Sequence, residues 1–100
     1  MEIETMLVLS TAHLTQDTCG IYLSNIALGL ERGSIVVFDK RDVGFFVYVP
    51  ADPEATEGPD VPLELRSACH VARREGCRWI MYDKDGPELD ELPVYSWGDA

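Results

Sequence analysis

Ser34-Ile-Val-Val-Phe-Asp39 and Val43-Gly-Phe-Phe-Val-Tyr-Val49 are separated only by Lys40-Arg-Asp42. Both runs are rich in β-branched and aromatic residues, which suit a pleated strand. So short a polar turn sends the second run back alongside the first, and the pair predicts a β-hairpin that Pro50 ends. A lone hairpin is marginal in water, so the rest of the chain must extend the sheet and cover it.

Three further segments supply that material. Met6-Leu-Val-Leu-Ser10 is a nearly continuous apolar run and reads as a central strand. Thr15 then caps a helix that opens with Gln16 and Asp17, an acid where the helix dipole favours one. Cys19, Leu23, Ile26 and Leu30 keep helical spacing, with Ile21 and Tyr22 widening the stripe. Gly20 inside that helix costs about 1 kcal/mol relative to alanine. Residues 51–61 hold Pro53, Gly58, Pro59 and four acids, the composition of an exposed loop. Pro62 suits a first helical turn, Leu65, Ala68, Cys69 and Ala72 form an apolar stripe, and Arg73 and Arg74 precede a stop at Gly76. Cys77-Arg-Trp-Ile-Met-Tyr82 is the last strand. An acidic, turn-rich tail follows from about residue 83, with Val94-Tyr-Ser-Trp97 read as an edge strand or as core packing. The order βαββαβ predicts an α+β, ferredoxin-like single domain over residues 1–100, with an antiparallel sheet ordered 4-1-3-2 and two helices on one face.

That topology gives the charge a direction. The chain has 18 Asp and Glu against 8 Lys and Arg, a net charge of -10. The predicted sheet would gather Glu2, Glu4, the loop acids Asp52, Glu54, Glu57 and Asp60, Glu64, and the tail acids Asp83, Asp85, Glu88, Asp90 and Glu91 at one end. Arg32, Lys40, Arg41, Arg73, Arg74 and Arg78 would lie at the other, mixed with acids. Such a pole repels nucleic acid and membrane surfaces and attracts basic protein surfaces. The bland alternative is that the charge only keeps the protein soluble.

Catalytic signals are weak. His13 lies among Ser10, Thr11 and Thr15 without a nucleophile at a diagnostic spacing, so a role in holding backbone at the strand-to-helix turn is expected. Cys69 and His70 are adjacent on a helix and point about 100° apart. Asp83-Lys-Asp-Gly86 opens like a calcium loop, but Pro87 and Glu88 break the pattern, which leaves a tight turn. No phosphate-binding glycine loop occurs. Three cysteines, Cys19, Cys69 and Cys77, fit neither a disulfide framework nor a zinc site and suit a reducing compartment. No apolar run nears the ~18 residues of a membrane span, and the N-terminus shows no leader pattern. The expectation is a cytoplasmic, non-enzymatic protein with no cofactor and no metal. Phe45, Phe46, Tyr48, Trp79 and Tyr82 could stack bases, but the charge opposes it, and alternate aromatics are expected to fill the helix–sheet interface. The other sheet face is then open to a partner or a second copy.

Leu9-Ser-Thr-Ala-His-Leu-Thr15 with Thr18, Gly44-Phe-Phe-Val-Tyr48, and Gly76 to Pro87 running on to Leu92-Pro-Val-Tyr-Ser-Trp97 together resemble an uncharacterised family of small proteins of phages, plasmids and integrated elements. The resemblance covers most of the chain and carries no catalytic residues. It implies a mobile-element origin and a host bacterial cytoplasm. With the acidic pole, it leads to the expectation of an anti-CRISPR-like inhibitor. Asp52, Glu54, Glu57, Asp60, Asp83, Asp85, Glu88, Asp90 and Glu91 would occupy a basic, nucleic-acid-binding surface of a host protein or CRISPR effector complex, mimicking DNA. The alternative is a structural or regulatory homodimeric module of the element, working through its sheet.

Overall fold

The computed structural model describes residues 1–29, 35–41 and 43–96. Strand β1 is Met6–Ser10, β2 is Val37–Asp39, β3 is Gly44–Tyr48 and β4 is Trp79–Asp83. Between β1 and β2 the chain makes a 3-10 turn at Thr11–His13, a π turn at Thr18–Leu23 and a short helix α1 at Ser24–Ala27. Between β3 and β4 come a 3-10 turn at Pro53–Thr56 and the long helix α2, Leu63–Arg74.

The hairpin forms as the sequence predicts, with Val37 opposite Val47 and Asp39 opposite Phe45. Its Asp42, like Leu30, Arg32, Ser34 and Trp97 of the expectations above, lies outside the described residues. Helix α2 also matches. Leu65, Ala68, Cys69 and Ala72 are buried, and Gly76 takes φ +77 just past the helix, a left-handed stop that favours glycine. The first helix is more broken than its periodicity suggests. Thr15 Oγ1 does accept from the Thr18 amide as a cap, but the wide turn at Thr18–Leu23 follows at Gly20, and Ser24 Oγ donates to the Cys19 carbonyl there.

The sheet differs from the expected one. Its order is β1-β4-β3-β2, not 4-1-3-2, and β4 runs parallel to β1, so the sheet is mixed rather than antiparallel. The cause lies in residues 50–62. α2 begins near the end of β1, where Glu64 meets Thr15 and Thr18, and finishes near the end of β3, where Arg73 meets Pro50. The loop must therefore travel the length of the helix before the helix returns. That extra traverse brings β4 in at the end where β3 stops, and the two pair antiparallel with Tyr48 opposite Trp79. β4 is also the strand most able to sit in the centre. Ile80 and Tyr82 are buried on one face while Trp79 and Met81 are partly covered on the other. β1 takes the edge.

The core lies between one sheet face and the helices. Leu9, Val37, Phe45, Val47, Ile80 and Tyr82 meet Leu23, Leu65, Ala68, Cys69 and Ala72. Tyr82 is fully buried, and its hydroxyl has no hydrogen-bond partner among the described residues. Burial first, then the nearby Cys69 and Glu64, push that phenol well above its ordinary range. An unsatisfied buried hydroxyl costs on the order of 1–3 kcal/mol. Tyr82→Phe is therefore expected to raise stability by about 1 kcal/mol in urea unfolding. A loss of similar size would mean that the hydroxyl is bonded in solution.

Candidate protein-binding face

The strand register sorts side chains onto two faces. Phe38, Phe46, Met81 and Val8 form one transverse row away from the helices, by the pairs Phe38–Phe46, Phe46–Met81 and Val8–Met81. Tyr48, Trp79 and Met6 form the next row, and Val36, whose carbonyl accepts from the Tyr48 amide, extends it. No helix among the described residues lies over these eight apolar or aromatic side chains. Phe38 is 54% exposed, Val36 51%, Met6 40% and Val8 37%. Trp79 is the hub, edge-on to Tyr48 at 5.0 Å between ring centroids and tilted against Phe38 at 6.2 Å.

Among the described residues, charge sits only at the rim of this face. Along the third row Lys40 reaches across Gly44 to Asp83 at 2.7 Å. At the other end the Trp79 indole donates to Glu4, and Arg78 donates to the Tyr48 hydroxyl. Of the five aromatics considered for the helix–sheet interface, only Phe45 and Tyr82 are buried there, while Phe46, Tyr48 and Trp79 belong to the open face. The signal was available. β3 is apolar at both parities, which marks a strand needing cover on both sides, and two helices on one face leave the other bare.

The twelve-acid pole does not form. Because β4 parallels β1, Asp83 lies across from Ser10 while Glu4 lies beside Trp79, at opposite ends of the sheet. The basic end is dispersed too, since Lys40 pairs with Asp83 and Arg74 with Glu91. Among the candidate contacts, Asp52 caps its own 3-10 turn by accepting from the Glu54 amide. Asp83 also accepts from the Asp85 amide, and the Lys40 hydrogen bond, then that amide, hold its carboxyl below the usual range. Glu91 takes both Nη atoms of Arg74 at 2.7 Å, which lowers its carboxyl and raises the guanidinium. Glu54, Glu57, Asp60, Asp85, Glu88 and Asp90 are exposed. Glu57 and Glu91 share a cleft beside α2, whereas Glu2 and Glu4 line a separate one with Arg78.

Glu64 is used inside the fold. Its Oε2 accepts from the Thr15 amide at 3.0 Å, the Thr15 hydroxyl at 2.7 Å and the Thr18 hydroxyl at 2.6 Å. Burial alone would raise this carboxyl, but the bonds from Thr18 and Thr15 outweigh it and lower it below its ordinary 4.5. A carboxyl lowered by folding stabilises fully above its unfolded value, and that contribution is lost as pH falls through the folded one. Glu64→Gln is accordingly expected to flatten the loss of urea stability between neutral pH and about pH 3. An unchanged slope would assign acid sensitivity to other carboxylates.

His13 is structural, though not through its own turn. It is 2% exposed. Nε2 accepts from the Leu89 amide at 2.8 Å, so Nδ1 carries the proton and donates to the Pro93 carbonyl at 2.8 Å. Both nitrogens are committed to the tail. Cys69 is buried and its thiol is pushed up to about 11 by that burial, with Arg73 pulling the other way, which removes it as a nucleophile near neutral pH. His70 is exposed on a different side of α2. No helix among the described residues is long and apolar enough to cross a membrane.

A small α+β protein with a four-stranded mixed sheet, helices on one face and an apolar face left open is the class defined by this geometry. Residues 6–97 match the family of unknown function (DUF5983) C-terminal domain, and the chain belongs to that family. Neither a search of curated proteins nor one of solved structures finds a match.

Proposed function

We propose that this chain is a non-catalytic binding module that docks the open face of its sheet onto another protein, one apolar at the centre of contact and basic around it. The observation that carries this reading is the pair of apolar rows centred on Trp79. The largest contiguous apolar patch on a monomer, typically about 300–600 Å², is often functional. Four strands at about 4.8 Å spacing and two side-chain rows give a footprint on the order of 250 Å². That is well short of the ~800 Å² per partner of a standard interface. Two copies meeting through this face alone would also bring together two charges of -10. A basic partner can extend the contact to the rim acids Glu4 and Asp83 and gains rate from the charge difference. The committed nitrogens of His13 and the raised thiol of Cys69 favour a non-enzymatic role.

An acidic inhibitor that covers a basic nucleic-acid-binding surface, of a CRISPR effector complex for example, is the second reading. What favours it is that, of its nine carboxylates, only Asp83 and Glu91 are in ion pairs among the described residues. Affinity capture with three baits separates the readings: the wild type, Phe38→Lys, and a variant with Asp85, Glu88 and Asp90 changed to lysine. A basic partner lost with Phe38→Lys but kept with the triple variant supports the sheet face. The reverse pattern supports the acidic inhibitor. Recovery of the chain alone, with Phe38-dependent dimers by sedimentation, would replace both with a homodimeric module.

A further inference from the structure

On the side of the molecule away from the open sheet face, α2 carries a second surface of different chemistry. Arg66, His70 and Arg73 follow i, i+4, i+7 spacing and so share one helix face. With Pro53, Glu57 and Arg74 they line an open groove of about 450 Å³. The two central guanidiniums are held in place by neutral oxygens. Arg66 Nη2 donates to the Gly58 and Val61 carbonyls at 3.2 and 3.3 Å, and Arg73 donates from Nε to Pro50 and from Nη2 to the Thr56 hydroxyl, both at 2.9 Å. Arg66 Nε is buried with no partner among the described residues. In a chain with 18 acids and 8 Lys and Arg, neither arginine has a described carboxylate within 4.0 Å. Arg74, the third arginine here, is spent on Glu91 and Glu75. Glu57 is the one acid lining this groove, and it forms no ion pair among the described residues.

Two fixed guanidiniums that retain their charge, with an exposed imidazole between them, form a cradle for an oxyanion. At about 8 Å screening length in physiological salt, the acids at the far end of the molecule contribute little to the field there; the opposing charges are Glu57 and Glu91, which shares the adjoining cleft with Arg66 and His70 and is already paired with Arg74. We propose that this groove binds the phosphate group of a small phosphorylated molecule, with Arg66 and Arg73 as the charged donors and His70 as a third. The groove exceeds a lone phosphate in size and leaves room for the organic part of the ligand. The inference does not rest on the sheet-face reading, and either can fail without the other.

The test is an NMR titration of the full chain with inorganic phosphate at constant ionic strength, with malonate as a dicarboxylate control. The Nε–H signals of Arg66 and Arg73 and the His70 ring are followed. Expected are saturable shifts confined to those groups, affinity weakened about fivefold in His70→Ala and strengthened about threefold in Glu57→Gln, since both side chains are exposed and neither holds the fold. Malonate binding as tightly as phosphate would overturn the phosphate assignment. Shifts that do not saturate, or that ignore both substitutions, would overturn the site.

Discussion

Alanine at Gly44 is expected to cost the fold a large part of its stability. A Cβ there would overlap the Tyr82 carbonyl oxygen and stand 2.6 Å from its carbon and 3.1 Å from the Asp83 Cα. All three are backbone atoms of the central strand, so no rotamer change relieves the clash. Relief requires β3 and β4 to separate at the point where Lys40 crosses to Asp83. A loss above about 4 kcal/mol is expected, against a total of roughly 5–15 kcal/mol for a domain. Urea unfolding followed by far-ultraviolet circular dichroism measures it. Gly58→Ala, where a new Cβ meets nothing within 4 Å, is the matched control and should lie within about 0.5 kcal/mol of wild type. If both variants unfold alike, the close approach of the two strands is not what Gly44 protects.

His13→Ala comes second in size. The imidazole supplies an acceptor to Leu89 and a donor to Pro93 from a fully buried position. Its removal strands two backbone groups, each costing about 1–3 kcal/mol, and leaves a cavity besides. A total of about 3–5 kcal/mol is expected. The loss should have a location as well. The amides of Leu89 and of Tyr95, which donates to Ala12, should exchange with solvent far faster than those of β3. Unchanged protection at Leu89 would show that Ser10–Pro87 and Arg74–Glu91 hold the tail without the histidine.

What could be read from the sequence follows the range of the forces involved. The hairpin, α2 with its Gly76 stop, and the β4 segment depend on neighbours a few residues away, and each falls where periodicity and turn chemistry place it. The strand order depends on the path of residues 50–62 along α2, which no local pattern encodes, and the supposed acidic pole failed with it. A structural role for His13 was legible because it lacked a nucleophile. Its partners, 76 and 80 residues along the chain, were not. The open face was half legible: Phe46 and Tyr48 alternate with the buried Phe45 and Val47, yet which parity the helices cover is settled only by the tertiary fold.

The central place of β4 has a consequence for how the chain comes into being. Among the described residues strand β1 pairs only with β4, roughly 73 residues later by the Met6–Trp79 pairing. As the chain leaves a ribosome, the hairpin and α2 can assemble early from local contacts, while Met6 to Ser10 lack their strand partner. The sheet is complete only once residues 79–83 lie between β1 and β3. Contacts this distant in sequence slow folding toward the millisecond-to-second range and lengthen the time a nascent apolar strand is open to wrong pairing. A chain stalled before Trp79 has a hairpin and a helix but no way to join its first strand to them.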